Sequence, residues 1–434
     1  MEKQRRNFIK SATVLSAIPF FMPVIEALAA EGLKKQRILL RSAWQTVNIG
    51  DIGHTFGILE LFEKYLPEVE VVLWPKLIDR GVDSLLAGRY PKVKIVKSGI
   101  TELSPDLKQE FQDCTLMVHS SAPFITAQKE LESWWDITRK PFGIYGVSLD
   151  EVSESQKVLI NNASFIHCRD TESLKYLKSL NLKCPVQTFG PDATFAINVH
   201  DDLKANAFLQ SNGLKTGEFI CVIPRLRYTP YWQMRDRAPT EEEKRRYVIS
   251  LQFKEVDAAK LREVIETWVR ATNLKVLVCA EVTYQVDLGK ETILDLLPPE
   301  IAKNVVWRDS FWLPDEAASV YNKSIALLTF EPHSALIAFN DGIPSIHLKQ
   351  PSDTRKGQMW RDVGLGEWYF LIDETPASQI ADTLLKLHNN YPQSLATMKK
   401  AKEYVVSVQK GNMKDIGRSF PKSYSSKALR TPPM

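Results

Sequence analysis

Residues 331–344 carry the side chains best suited to acid–base chemistry on an anionic ligand. The apolar run that ends at Phe330 predicts a strand, and Pro332 and Gly342 predict the start and the end of the helix that follows it. His333 then lies in the first turn of that helix, where exposed backbone N–H groups and the helix dipole attract anions. Because the reference pKa of histidine is close to neutral pH, His333 is a candidate general acid or base.

Polar clusters in the first half of the chain also follow apolar, strand-like runs, at residues 48–51, 118–123, 168–173 and 189–192. The carboxyl ends of parallel strands form one edge of a sheet, and ligands bind at that edge in open α/β sheets. Each cluster also has a purely structural interpretation, because Asp and Ser commonly cap helices and neighbouring Arg and Asp commonly pair. On that interpretation Asp51 caps a helix over 52–65, and the histidines nearby are structural: His54, His119 and His167.

An arginine-rich segment, residues 225–237, follows the first strand of the second half. Guanidinium groups bind carboxylates and phosphates through paired hydrogen bonds, and the segment also contains aromatic side chains that suit the apolar faces of sugars. Arg225 and Arg227, at the strand end, are the stronger candidates, and Arg235 and Arg237 are the weaker ones. The alternative interpretation is an exposed, flexible, charged loop.

The elements that must position these residues are of the α/β class. Apolar runs suited to buried strands alternate with helical patterns in both halves of the chain, including a helix over 256–272. We predict two doubly wound Rossmann-like domains that face a cleft, because about 400 residues is too many for one core. The predicted domains are residues 36–200 and 218–410, separated by an irregular stretch around 200–217 and followed by a C-terminal tail over 411–434.

The first 29 residues predict a twin-arginine signal peptide. A basic opening with adjacent Arg5 and Arg6 precedes the uncharged apolar run 11–25 and an Ala-Leu-Ala site at 27–29. The apolar run is shorter than the roughly 20 residues of a membrane span, so an uncleaved anchor is the second choice. The expected partner is the twin-arginine translocase, and the expected location is the periplasm or cell envelope, or the cytoplasm if the signal is coincidental.

Charge and cysteine content exclude several classes of function. The net charge is +4 for the whole chain and falls to about +2 without the signal segment, so we expect no nucleic-acid partner. The five cysteines are scattered without Cys-x-x-Cys spacing. They predict neither a disulfide framework nor a zinc site, and we expect no metal.

In this order and spacing, the polar clusters resemble those of the polysaccharide pyruvyl transferase family. The matching features are Asn48-x-Gly50-Asp51, Arg169-Asp170-x-x-Ser173, Pro191-Asp192, the strand that ends at Arg225 or Arg227, and the block from His333 to Pro344. The resemblance implies a glycosyltransferase-B-like fold. It also implies transfer of a pyruvyl group from phosphoenolpyruvate, as a co-substrate and without a cofactor, onto two hydroxyls of a sugar or polysaccharide as a cyclic ketal.

The resemblance also implies roles for individual residues. His333 and Asp51 are the catalytic candidates, and cations near them would hold the carboxylate and phosphate of the donor. The donor-binding candidates are Arg225, Arg227, Glu331, Lys349, Arg355 and Lys356. The acceptor-binding candidates are Asn48, Gly50 and Asp192, and the structural residues at the cleft are Arg169, Asp170 and Ser173.

Glu331 keeps two other functions open. Members of the family usually have arginine at this position, two residues before the histidine. A carboxylate there is typical of nucleotide-sugar glycosyltransferases of the same fold, in which it binds a ribose. The third hypothesis is an exported protein that binds carbohydrate or removes pyruvyl groups without using a donor, since phosphoenolpyruvate is a cytoplasmic metabolite.

Overall fold

The structure, a computed structural model, describes residues 36–421 and contains two parallel β-sheets flanked by helices. It confirms the predicted α/β class and the two Rossmann-like domains. The predicted signal segment, residues 1–29, lies outside the described residues.

The first domain is built on seven strands: β1 (Arg37–Ser42), β2 (Glu70–Pro75), β3 (Lys94–Ile95), β4 (Leu116–His119), β5 (Phe142–Val147), β6 (Phe165–Cys168) and β7 (Gln187–Phe189). Their order in the sheet is β3-β2-β1-β4-β5-β6-β7, and all neighbours are parallel. The chain runs outward from β1 to β3 and returns to β4. The carboxyl ends of β1 and β4 therefore form the switch point at which such sheets bind ligands.

Seven helices belong to the first domain and its connection to the second: α1 (Ile49–Tyr65), α2 (Val82–Arg89), α3 (Pro105–Asp113), α4 (Gln128–Thr138), α5 (Glu154–Asn162), α6 (Thr171–Ser179) and α7 (Asp202–Ser211). Helix α1 is buried along most of its length because it lies between the two domains. A short 3-10 helix, Ala193–Ala196, packs beside it.

The second domain is built on six strands: β8 (Phe219–Ile223), β9 (Lys275–Val278), β10 (Val305–Trp307), β11 (Leu327–Thr329), β12 (Ser345–Lys349) and β13 (Tyr369–Leu371). Their order is β10-β9-β8-β11-β12-β13, so β8 and β11 form the second switch point. Strand β8 is buried throughout, as expected for the central strand of a parallel sheet.

Nine helices accompany the second sheet: α8 (Tyr231–Met234), α9 (Glu241–Thr272), α10 (Gln285–Thr292), α11 (Pro299–Ala302), α12 (Pro314–Tyr321), α13 (Pro332–Asn340), α14 (Gln358–Asp362), α15 (Ala377–Asn389) and α16 (Tyr391–Arg418). Helix α13 is the one predicted from Pro332 and Gly342. Pro332 is its first residue, and Gly342 has a φ of 80°, a left-handed conformation that suits glycine after a helix.

Helix α1 begins earlier than the sequence predicted. Its N-cap is Asn48, whose side-chain oxygen accepts hydrogen bonds from the backbone N–H groups of Gly50 (2.7 Å) and Asp51 (3.3 Å). The prediction that Asp51 caps this helix is therefore wrong. Asn and Asp are equally good caps, and the glycines Gly50 and Gly53 weaken the helical pattern of the first turns.

Two other segments are more regular than predicted. The stretch 200–217, expected to be irregular, contains α7, capped by the Asp201 side chain, which accepts from Lys204 N at 2.9 Å. Helix α9 begins at Glu241 and not at 256, after a capping box formed by Thr240 and Glu243. Both helices are signalled by these local caps more than by an apolar stripe.

Helix α16 returns the end of the chain to the first domain. It extends to Arg418, so the predicted boundary between the second domain and a tail over 411–434 falls inside a helix. The Asn412 side chain donates to Phe189 O at 3.0 Å, and Met413 and Ile416 are buried in a core shared with the first domain. The last turns of α16 thus support the end of β7.

One apolar core runs through both domains beneath the cleft. It contains Ile38 of β1 and Phe56 of α1 together with Cys221 of β8 and Leu327 of β11, all of them buried. Burial of apolar surface at this interface stabilises the relative position of the two sheets. The cleft edges therefore rest on a common packed base.

The described residues include no candidate membrane span: within 36–421, helices of sufficient length are too polar to cross a bilayer. The five cysteines are all buried, and none of them forms a disulfide within this range.

Candidate active site

A cavity of about 300 Å³ opens between the domains, beyond the carboxyl ends of β1, β4, β8 and β11. These strands flank the two switch points, where open α/β sheets bind ligands. Six of the residues predicted from the sequence line the cavity: Asn48, Asp51, Arg169, Arg225, Glu331 and His333. The structure therefore brings together both halves of the predicted site.

His333 lies in the first turn of α13, as predicted, with 6 % of its surface exposed, and it faces the start of α1. The imidazole packs directly against Gly50: a Cβ atom added there would lie 2.3 Å from the Cβ of His333 and 2.5 Å from Nδ1. Only glycine leaves room for this approach. Gly50 is thus placed behind the histidine, where it sets the position of the ring.

We expect Gly50→Ala to lower both stability and activity. The added methyl group overlaps His333, and overpacking of this kind typically costs about 1–3 kcal/mol. A displacement of about 1 Å at a reacting group can lower the rate about 100-fold. Thermal unfolding and steady-state kinetics measure the two effects. The control is Gly88→Ala, in α2, where an added Cβ has no neighbour within 4 Å; wild-type kinetics in Gly50→Ala would contradict the packing argument.

Glu281 orients His333, and no motif in the sequence marks it as a site residue. It is fully buried, its Oε1 lies 3.3 Å from His333 Nδ1, and its Oε2 accepts a hydrogen bond from Ser334 N at the start of α13. Its backbone oxygen also accepts from Ile49 N at 3.0 Å. A carboxylate beside an imidazole fixes its orientation and stabilises its protonated form.

A second histidine, His54, stands behind the first. The two rings meet edge to face with centroids 4.8 Å apart, and His54 Nδ1 lies 2.9 Å from Asp192 Oδ1. The other oxygen of Asp192 accepts from Arg169 at 2.8 Å. Burial alone would raise the pKa of Asp192, but His54 and Arg169 hold that pKa well below its ordinary value of 3.8. His54, expected to be a purely structural residue, therefore contacts the candidate catalytic group.

The position of Asp192 does not support direct binding of an acceptor. Its carboxylate is fully buried, with partners on His54, Arg169 and Thr194 N, and it does not line the cavity. Arg169 itself pairs with Asp192 and not with its neighbour Asp170. Asp192 thus acts on the site only through the side chains that it holds.

Asp170 and Ser173 make structural contacts. Asp170 caps α6 by accepting from Ser173 N at 2.7 Å, and it also accepts from the hydroxyls of Ser173 and Ser148, each at 2.8 Å. Both residues are fully buried. This network fixes the loop that carries Arg169, whose Nε donates to Ser148.

Asp51 lies on the opposite wall of the cavity from Arg225. It is bound by the side-chain amide of Gln45, which also donates to the Tyr231 hydroxyl of the second domain at 3.1 Å. Gln45 therefore bridges the two domains across the site. Asp51 Oδ1 lies 3.7 Å from His54 Nε2, which links it to the pair of histidines.

Arg225 and Glu331 form an ion pair at the cavity wall, with Arg225 Nε 3.1 Å from Glu331 Oε1. Arg225 also binds Asp353, and Gln285 donates to Glu331 at 2.8 Å. Burial would lower the pKa of Arg225, but Asp353 and Glu331 raise it well above its usual value. Glu331 thus replaces the cation expected in the family and is itself neutralised by Arg225.

Three of the remaining donor-binding candidates, Arg227, Lys349 and Arg355, do not line the cavity. Arg227 is buried between two carboxylates, Asp257 and Asp373. Arg355 reaches the first domain and pairs with Asp150 at 2.9 Å, and Lys349 lies at the end of β12. Arg227 and Arg355 are paired with carboxylates outside the cavity, and their positions do not support a role in donor binding. The Lys356 side chain lies outside what the structure describes.

Two further cationic residues line the cavity: Lys76, which was not predicted from the sequence, and Arg235, which was predicted as a weaker candidate. Lys76 follows β2, and Arg235 follows α8 and reaches Gln45 Oε1 at 3.5 Å. Lys76 stands in an ordinary strand-end sequence, so nothing local distinguishes it. With Arg169 and Arg225 they give the cavity four cationic side chains against the carboxylates of Asp51 and Glu331. Because Arg169 pairs with Asp192 and Arg225 pairs with Asp353, Lys76 and Arg235 are the cations best placed to meet an anion in this cavity.

Among residues 36–421, His54, Asp192 and His333 bring potential metal-ligand atoms within 4.8 Å of one another. Asp192 is already bound to Arg169, and His54 Nδ1 is bound to Asp192. A cation at this point would displace those bonds and face the guanidinium group. The arrangement is better suited to holding and moving protons. Elsewhere, burial lowers the pKa of His119 and of His167 to about 3, so both are neutral structural histidines.

Comparisons with solved structures identify the class of fold to which this chain belongs. A putative UDP-N-acetylglucosamine 2-epimerase from Listeria monocytogenes is 12% identical with a TM-score of 0.54 over 88% of this chain and 97% of that chain. The UDP-GlcNAc 2-epimerase from Neisseria meningitidis is 9% identical, with a TM-score of 0.57 over 88% of this chain and 100% of that chain. Medicago truncatula UGT71G1 with UDP-glucose is 9% identical, with a TM-score of 0.51 over 89% of this chain and 99% of that chain. At such identities the likeness concerns the fold alone, which is glycosyltransferase-B-like.

Comparison of sequences is more specific. No curated protein matches the sequence. The family model for polysaccharide pyruvyl transferase matches residues 48–350, a span that begins at the cap of α1 and ends just after β12. The match covers more than half of the chain and includes every residue described above from Asn48 to His333. The chain belongs to the polysaccharide pyruvyl transferase family.

Proposed function

We propose that this protein transfers a pyruvyl group from phosphoenolpyruvate to two hydroxyls of a sugar, forming a cyclic ketal. The observation that carries the proposal is His333, held by Glu281 at a helix N-terminus inside a cavity that is also lined by the cations Lys76 and Arg235. An anionic donor suits such a cavity, and the transfer needs a group that both gives and takes protons. Membership of the family supports the same conclusion.

The proposed reaction moves two sugar protons and one phosphate. Protonation of the donor methylene carbon makes the neighbouring carbon electrophilic, and one sugar hydroxyl adds to it with loss of its proton. The second hydroxyl then displaces phosphate and gives up its proton to the departing phosphate, so that one of the two sugar protons balances the one added to carbon and the other leaves as part of hydrogen phosphate. In this scheme His333 delivers the first proton and accepts one from a hydroxyl, while Asp51 faces the acceptor from the opposite wall.

Phosphate release tests this function directly. Purified protein is incubated with phosphoenolpyruvate and a panel of glycans, and inorganic phosphate and the mass of the glycan are measured. Release that depends on the glycan, with a mass gain corresponding to a ketal, supports the proposal. A protein that binds phosphoenolpyruvate neither alone nor with any glycan would overturn it.

We expect Lys76→Ala and Arg235→Ala to weaken binding of phosphoenolpyruvate. Arg225 and Arg169 are already paired with carboxylates, so Lys76 and Arg235 are the cations best placed to bind the donor. Loss of a hydrogen bond to a charged group costs about 1.5–3 kcal/mol, or roughly tenfold or more in affinity. Titration calorimetry measures the change. Arg237→Ala is the control, because Arg237 pairs with Glu243 outside this cavity; unchanged affinity in both test variants would exclude them from the donor site.

A nucleotide-sugar glycosyltransferase is the second candidate, and Glu331 is the observation in its favour. It lines the cavity at the start of α13, where a carboxylate can accept hydrogen bonds from a ribose. Protection against thermal unfolding by UDP or ADP, but not by phosphoenolpyruvate, would favour it. Glycan binding without any donor would favour the carbohydrate-binding or pyruvyl-removing alternative.

Export through the twin-arginine route remains our proposal for the location, and it depends on residues 1–29 alone. Cell fractionation of the full chain and of an Arg5→Lys, Arg6→Lys variant tests it. Retention of both in the cytoplasm would assign the protein to the compartment in which phosphoenolpyruvate is made.

A further inference from the structure

A second cavity of about 370 Å³ adjoins the candidate active site. Five residues line both cavities: Pro123, Phe124, Arg225, Thr229 and Tyr231. The two spaces are therefore parts of one continuous groove. It runs from His333 past Phe124 to the first turns of α9.

The second cavity is lined by aromatic side chains from both domains. Phe124, at the junction, has 58 % of its surface exposed although it is a large apolar residue. Tyr228, Tyr231, Trp232 and Tyr247 contribute from the second domain, and the rings of Trp232 and Tyr247 meet edge to face with centroids 5.7 Å apart. Exposed aromatic surface in a groove commonly marks a ligand site, and the electron-rich faces of the rings suit the C–H faces of sugars.

The charges around the second cavity are already neutralised. Its charged lining residues each belong to an ion pair: Arg225 with Asp353, Arg227 with Asp257, Glu243 with Arg237, and Arg246 with Glu242. A phosphate or carboxylate entering here would have to break one of these pairs. The second cavity is therefore suited to an uncharged ligand, whereas the cavity beside it is also lined by Lys76 and Arg235.

We propose that the second cavity binds the neutral part of the acceptor glycan, adjacent to the sugar that receives the pyruvyl group under His333. The inference rests on the proposed function and adds to it the place where the acceptor chain binds beyond the reacting sugar, the aromatic cavity between Phe124 and Tyr247. The aromatic rings hold the chain by apolar contact, and the reacting sugar extends past Phe124 into the active site. The paired charges argue against a nucleotide diphosphate in this position.

Glycan binding without donor tests the inference independently of catalysis. The probe is an array of neutral oligosaccharides, from monosaccharides to octasaccharides, and the best backbone is then titrated as a length series. We expect tetrasaccharides to bind at least about tenfold more tightly than disaccharides, equivalent to roughly 1.4 kcal/mol. Tyr247→Ala, on the exposed side of α9, should remove this difference and leave disaccharide binding unchanged.

The matched control is Tyr404→Ala, an exposed aromatic on α16 away from the groove, which should bind like the wild type. Equal affinity for short and long glycans in wild type and Tyr247→Ala would overturn the inference, as would UDP or ADP binding weakened by Tyr247→Ala. Each failure is distinguishable. Phosphate release that does not depend on glycan length would support the proposed function and exclude the glycan cavity. Glycan binding that depends on length, without phosphate release, would support the glycan cavity and exclude the proposed function.

Discussion

Replacement of His333 by alanine should lower the rate of pyruvyl transfer by about 10²–10⁴, the usual contribution of a general acid or base. The imidazole lies inside the cavity and is oriented by Glu281. Affinity for phosphoenolpyruvate should change much less than kcat, because the loss affects proton transfer more than charge. Phosphate release and titration calorimetry separate the two.

His333→Gln distinguishes chemistry from packing. The glutamine amide keeps an N–H donor toward Glu281 but does not exchange protons near neutral pH, so this variant should be as inactive as the alanine variant. His200→Ala is the matched control: this histidine pairs with Asp341 at 2.9 Å and does not line the cavity. A His333→Gln protein that retained a tenth or more of the wild-type rate would exclude His333 as the proton carrier.

Asp192→Ala should be the most destabilising of the substitutions proposed. Asp192 is fully buried and is the carboxylate partner of Arg169, which is 1% exposed. Removing one partner of a buried pair leaves an uncompensated charge and costs about 3–5 kcal/mol. That is a large part of the roughly 5–15 kcal/mol by which a typical domain is stable. Urea unfolding of the two proteins at neutral pH measures the difference.

The pH dependence of this difference has a definite sign. The folded-state pKa of Asp192 is held well below its ordinary 3.8, so its carboxylate stabilises the fold above that ordinary value. This contribution is lost as the pH falls toward the folded-state pKa. The gap in stability between wild type and Asp192→Ala should therefore be constant above about pH 5 and shrink at lower pH.

Asp202→Ala is the control for Asp192. Asp202 pairs with Lys323 at 2.8 Å, but 62% of its side chain is exposed, and such surface pairs contribute about 0–1 kcal/mol. Its replacement should change stability little at any pH. If the difference in unfolding free energy between the wild type and Asp192→Ala grew as the pH fell, the Asp192 carboxylate would not be the charged partner of Arg169 and His54.

Much of the scaffold was predictable because its signals are local. The apolar run 324–330, Pro332 and Gly342 fixed β11 and α13, and with them the position of His333, through strand periodicity and helix-end preferences. Where two residues carried the same local signal, the prediction failed. Asn48 and Asp51 are both good caps, and only the backbone of α1 shows that Asn48 has that role.

The partners of His333 were not predictable in this way. Glu281 is 52 residues away in sequence and His54 is on another domain, and neither stands in a motif of its own. Among the predicted cations, Arg225 lines the cavity and Arg227, two residues later, is buried between Asp257 and Asp373. Alternation along an extended segment places residues two apart on the same face, so it does not predict that only Arg225 lines the cavity.

The sequence by itself determined the alternation of strands and helices, the two-domain plan and the helix start that carries His333, because these depend on spacing over a few residues. Only the tertiary structure decided which charges remain available in the cavity. It pairs Glu331 with Arg225 and adds Lys76 and Arg235 to the cavity lining. It also joined the aromatic cavity to the active site. The physical reason is that pairing and burial of side chains depend on which strand ends meet across the cleft, and that meeting is set by the packing of the whole chain.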